Sequence, residues 1–191
     1  MVAQRNQINI SYLSDLRFLL LFLLFFSLPG CRSSSDERAK KVFGEANTIS
    51  DQQTKVMNQW AREFGPVFTE QNRAQFPANR EWLNSRAQKI IPLIDESCRL
   101  ANEAANKYEE ASRLMSKDQD RRGLALIVAS FRKSTEVEQM FKAQAQLASD
   151  PTITDAKVFN EKFAYFNELI RQKQKEKDEQ FDEGKRLMLT P

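Results

Sequence analysis

Ala87, Ile91, Ile94, Cys98, Ala101, Ala105, Tyr108, Ser112 and Met115 recur at steps of three and four along one stretch of the chain. Residues so spaced share one face of an α-helix, and a stripe this long must be buried against other helices. The same alternation runs through Ala39, Val42, Ala46, Ile49, Val56, Trp60 and Phe64, with Gln53 in its one gap. It returns in Leu124, Ile127, Phe131, Ser134, Phe141, Ala145 and Ala148, and again in Phe159, Phe163, Phe166 and Ile170. Only five Gly and six Pro punctuate 191 residues, and no alternating β-branched run is bounded by turn residues. The expected fold is all-α, an up-and-down bundle of four long helices with coiled-coil-like seams, roughly 45 to 55 Å long. Seams on every helix can also be satisfied between chains, which leaves the oligomeric state open.

Local signals set the expected boundaries. Ser34-Ser35-Asp36-Glu37 reads as a capping box that opens the first helix, and Gly65-Pro66 is expected to stop it. Ser50-Asp51-Gln52-Gln53 offers a second capping box and hence a possible break near Ile49. Residues 66–78 read as a connector with one or two helical turns, ended by Pro77. The second helix should run from about Asn79 to Met115, kinked or split before Pro92, where a missing amide and a ring clash disturb the ladder. Ser116 to Asp120 supplies turn chemistry, so the second and third helices should form an antiparallel hairpin. Ser149-Asp150-Pro151 ends the third helix, with Asp150 and Pro151 available to cap the fourth. Past Ile170 the polar run Arg171 to Lys177 suggests that the last helix projects beyond the bundle or frays.

Ahead of the seams lies Leu16 to Cys31, in which every residue from Phe18 to Phe26 is Leu or Phe and Arg17 gives a positive flank. That is the pattern of a secretory signal, and it falls short of the roughly 20 apolar residues that a helix needs to span a bilayer. Pro29 and Gly30 break the helix directly before Cys31. With Leu28 they resemble the lipobox of bacterial lipoproteins. In that class the Cys thiol is diacylglycerylated, the signal is removed before it and the new amino terminus is acylated. The resemblance covers about 15 residues; Pro29, Asp15 and the long polar start depart from the usual pattern. It implies a signal peptide over residues 1–30, a lipidated tether over 31–35 with Cys31 as the attachment point, and a helical domain over 36–191. Arg32 stands where Asp would suggest retention in the inner membrane, so a periplasm-facing place on the outer membrane of a Gram-negative envelope is implied.

Removing residues 1–30 leaves 161 of the 191, enough for one domain with a real core. That part carries 27 basic against 25 acidic residues, a charge of +2 that makes no electrostatic case for nucleic acid. The chain has no histidine, which removes the commonest general base and the commonest metal ligand. No metal, cofactor or catalysis is expected.

Cys98, alone if Cys31 is acylated, lies on an apolar seam and reads as a buried structural thiol. Phe159, Phe163 and Phe166 are candidates for contacting an apolar ligand, although at helical spacing they read first as core. Glu136 and Glu138, two residues apart, do not share a helix face and make no acid/base pair. Lys173 to Glu179 reads as a mixed-sign solvated face, and Trp60 and Trp82 as core or connector contacts. The function these features imply is a membrane-anchored scaffold or partner-binding module.

Overall fold

The structure is a computed structural model in which residues 34–189 are described. The expected signal peptide, Leu28, Pro29, Gly30 and Cys31 lie outside the described residues. Four long helices, α1 (Ser34–Val67), α3 (Arg80–Leu114), α4 (Asp118–Gln146) and α5 (Ala156–Leu189), build an all-α bundle. A short helix, α2 (Glu70–Ala74), bridges the first two, and a 3-10 turn over Leu147–Ser149 follows α4. Among the described residues there is no strand. A helix of 34 residues is about 51 Å long.

Cross-helix bonds set the directions. Lys142 reaches Asp95, Thr135 reaches Asn102 and Ser112 reaches the Arg121 carbonyl, so α3 and α4 are antiparallel neighbours, as expected. Lys133 pairs with Glu176, and the Gln119 amide donates to the Leu187 carbonyl at 2.6 Å, so α4 and α5 are antiparallel as well. The chain therefore runs up, down, up and down. Along it α1 packs on α3, α3 on α4 and α4 on α5.

Several boundaries differ from those expected. Gly65 and Pro66 do not stop α1, which continues to Val67, and no described glycine adopts a positive φ. The helix ends instead where Asn72 donates to the Pro66 and Val67 carbonyls and Arg73 to that of Phe68, satisfying the orphan acceptors from outside. No break occurs near Ile49, and α3 runs as a single helix through Pro92. The inward stripe of α1 uses Ser50 and Met57 in place of Ile49 and Val56. A 3.6-residue turn drifts from a strict heptad and rotates the next residue inward. Helix α1 also takes in Ser34 and Ser35, the last two residues of the expected tether.

Asp155, not Asp150, caps α5 by accepting from the Val158 amide at 3.0 Å. Asp150 folds its own loop by accepting from the amide and hydroxyl of Thr152. The polar end of α5 does not project. Gly184 is buried against Gly123 of α4 so closely that a Cβ on Gly184 would stand 2.7 Å from the Gly123 carbonyl oxygen. Farther along the same α4–α5 seam, Lys133 and Lys173 pair with Glu136 and Glu176. Polar composition misled here because the two glycines bring the backbones into contact, and Phe181 and Met188 are enough to cover the approach.

Two apolar clusters fill the bundle. One, towards the connector α2, holds Trp60, Phe64, Phe68, Phe76, Phe141, Phe159 and Phe163. The other, towards the α3–α4 turn, holds Ala39, Ala46, Ala101, Ala104, Ala105 and Ala111 around Phe43, Tyr108 and Phe131. Tyr108 is buried but satisfied, donating to Asn47 at 2.7 Å.

Candidate functional site

Between the two clusters the stripes of three helices turn polar at the same level. Helix α1 supplies Gln53, α3 supplies Ser97 and Cys98, and α4 supplies Ser134 and Glu138. Glu138 fills the gap between Ser134 and Phe141 at the four-then-three step of the seam, which carries its carboxyl inward. It is 2% exposed, while Glu136 faces solvent, so the two do not form a pair.

The Gln53 side-chain amide donates to Glu138 Oε1 at 2.8 Å and lies 3.2 Å from Ser97 Oγ. Ser134 stands 3.5 Å from the same carboxyl oxygen, and Cys98 Sγ is 3.6 Å from Oε2. All these partners are neutral. Among the described residues Glu138 enters no ion pair within 4 Å. Burial pushes its carboxyl up to about 7, against the opposing effect of the donors from Ser97, Cys98, Gln53 and Ser134. A carboxyl in that state serves as a hydrogen-bond hub that can hold or release a proton near neutrality.

Cys98 is buried, as its seam position implies, but it lies beside the Glu138 carboxyl and the Gln139 amide rather than among apolar groups alone. Its thiol is pushed up to about 12, first by burial and then by the neighbouring Glu138 charge, with the Gln139 amide opposing. It is a free thiol, and burial keeps it from the reactive thiolate form.

Beside this layer a cavity of about 20 Å³ opens between α1, α4 and α5, enough for one water. Trp60 and Ala61 line it from α1, Ser134 and Glu138 from α4, and Gln174 and Lys177 from α5. Trp60 is buried with its indole N–H unpartnered, and the Lys177 side chain is only 13% exposed.

The candidate phenylalanines lie nearer the connector. Phe159 stacks on Phe76 at 4.6 Å, and Phe163 lies against Phe68 at 5.9 Å and beneath the Arg73 guanidinium at 4.3 Å. Phe166 is half-buried beside Tyr165, which faces solvent. Rings of this protein thus occupy the space around Phe159 and Phe163. Trp60 belongs to the core, whereas Trp82 is 42% exposed with Arg86 over its ring.

The polar layer is what the seam pattern held unread. Gln53, Ser97, Cys98, Ser134 and Glu138 all fall on inward stripes, and lining up the antiparallel helices brings them to one level. Among the described residues no group of three or more His, Cys, Asp or Glu is placed to hold a metal ion. No family model, curated protein or solved structure matches the chain.

Proposed function

We propose that this chain is a lipid-anchored protein of a bacterial cell envelope that presents a helical bundle as a scaffold or partner-binding module and performs no catalysis. The observation that carries the proposal is Cys31 at the end of the Leu16 to Leu28 apolar run, directly after Pro29-Gly30. Acyl chains on that cysteine would hold firmly, since each buried methylene contributes about 0.8 kcal/mol and a second chain makes attachment stable. Arg32 favours the outer membrane, with the domain on its periplasmic side. Among the described residues no helix is long and apolar enough to cross a membrane.

A described helix that opens at Ser34, three residues after Cys31, supports a close stance on the bilayer. The start of α1, the α3–α4 turn and the end of α5 would then face the lipid. The opposite end, with α2 and the exposed Trp82, would face a protein partner. The competing idea, an apolar ligand at Phe159, Phe163 and Phe166, draws less support because protein rings already pack around the first two.

Metabolic labelling with a fatty acid tests the proposal. The wild-type chain should carry label and fractionate with membranes, and Cys31→Ser should lose both. Equal labelling and attachment of Cys31→Ser would replace the lipid anchor with an uncleaved signal anchor. Crosslinking in cells should then recover a partner through the Trp82 end.

A further inference from the structure

A scaffold has no need of a carboxyl in its core, yet Glu138 sits between two apolar clusters with only neutral groups bonded to it. We propose that Glu138 is a proton-operated switch: protonated, it completes the polar layer joining α1, α3 and α4; ionised, it draws water into the adjoining cavity between α1, α4 and α5.

The neighbours on every side set this behaviour. Helix α1 offers Gln53 and Met57, and α3 offers Ser97 and Cys98, with Asp95 a turn away already held by Lys142 at 2.6 Å. Helix α4 offers Ser134 and Gln139, and α5 offers Gln174 and Lys177 across the cavity. Of these, Lys177 is the one cation on the cavity wall, and its Nζ stands 3.3 Å from Asp178. An ionised carboxyl here faces a desolvation penalty that one close amide bond and the weaker neutral donors around it do not offset.

Two responses can relieve that penalty. Water can enter the cavity that Trp60 lines, or the Lys177 ammonium can turn inward. Both act in the gap between α1, α4 and α5. The raised proton affinity of Glu138 places both states within reach of neutral pH. None of this depends on acylation at Cys31.

The chain has two tryptophans, so Trp82→Phe leaves Trp60, on the cavity wall, as the sole indole reporter. In the full chain carrying Trp82→Phe, held in detergent, Trp60 emission should shift to the red as pH rises from about 5 to about 9. The transition should centre near neutrality, and adding Glu138→Gln should abolish it. A flat emission profile over that range, or the same transition with Glu138→Gln present, would overturn the switch. Should Glu138→Gln fail to fold, carbon NMR of labelled glutamate carboxyls decides the matter in the Trp82→Phe chain. A Glu138 midpoint near neutral pH supports the proposal, and one in the ordinary carboxylate range overturns it.

Discussion

The half of the bundle around Trp60, Phe64, Phe141 and Phe163 is filled by rings, whereas the half around Ala101, Ala104, Ala105 and Ala111 sets six alanines about Phe43, Tyr108 and Phe131. Rings reach across wide gaps. Trp60 lies 5.1 Å and Phe64 5.2 Å from Phe141, measured between centroids, so α1 meets α4 through side chains. The other half works by approach, with Gly123 and Gly184 letting α4 and α5 touch at the backbone. Each half is therefore weak against the opposite change: the ring half against loss of atoms, the small-residue half against their addition.

The largest effect should come from emptying the ring half. Phe163→Ala removes a ring packed on Phe64, Phe68 and Phe159 and leaves the Arg73 guanidinium uncovered. Buried Phe→Ala changes cost about 3 to 5 kcal/mol, readable as a lowered urea midpoint at unchanged slope. A loss below about 1 kcal/mol would mean that the rings collapse into the space. The two halves would then not differ as described.

Next comes the polar layer dividing them. Burial raises the Glu138 carboxyl from its ordinary 4.5 to about 7. Below the lower value both folded and unfolded chains hold the proton. As pH rises the unfolded chain releases it first, so stability falls across this window and then levels off. The loss amounts to about 3 kcal/mol. Glu138→Gln should flatten that part of the profile and be the more stable protein at about pH 8. Unfolding midpoints compared at about pH 5 and pH 8 check it; an unchanged slope would show that the carboxyl is not buried as an uncompensated acid.

Addition to the close-packed half should rank third. Gly184→Ala places a Cβ 2.7 Å from the Gly123 carbonyl oxygen and 3.0 Å from Ile127, and backbone cannot step aside cheaply. Overpacking of this kind costs about 1 to 3 kcal/mol. Gly44→Ala is the matched control, since a Cβ there meets nothing within 4 Å. It should gain up to about 1 kcal/mol from helix propensity. Thermal unfolding of the pair checks the sign, and equal effects would show that α4 and α5 do not meet at the backbone.

Much of this was legible in the residue spacing. Steps of three and four located all four long helices, and Pro77 and the Ser116 to Asp120 turn marked two of the connections. The end of α5 was not legible, because its docking depends on two glycines facing each other from positions 61 residues apart in sequence. Hydropathy assigns such a contact no weight. Gly65-Pro66 misled for a related reason: the acceptors at the end of α1 are satisfied by Asn72 and Arg73, side chains that a local stop signal does not include. The polar layer was half legible. Gln53 stood out as the gap in its stripe and Ser134 was on its own, but Glu138 was weighed against Glu136 rather than against Gln53 and Cys98. Its role appears only when antiparallel helices are aligned. The anchor at Cys31 rests on sequence alone.

The smallest effect concerns Cys98, which stands where the ring half meets the polar layer. Its thiol is 3.3 Å from the Gln139 amide and 3.6 Å from the Glu138 carboxyl, and burial holds its proton well above the ordinary thiol range. The thiolate is the reactive form. In the Cys31→Ser chain, where Cys98 is the sole cysteine, alkylation at about pH 8 should be slow in the folded protein and fast in denaturant. Cys98→Ala removes one sulfur and three weak polar contacts, to Thr135, Glu138 and Gln139, so it should cost only on the order of 1 kcal/mol. If Glu138 is protonated when the layer is closed, Cys98→Ala should also shift its titration slightly, because a group that stabilises the charged form disappears along with the thiol. Rapid labelling of the native chain, or a loss comparable to that of Phe163→Ala, would place Cys98 on a strained or open surface and dissolve the boundary between the two halves.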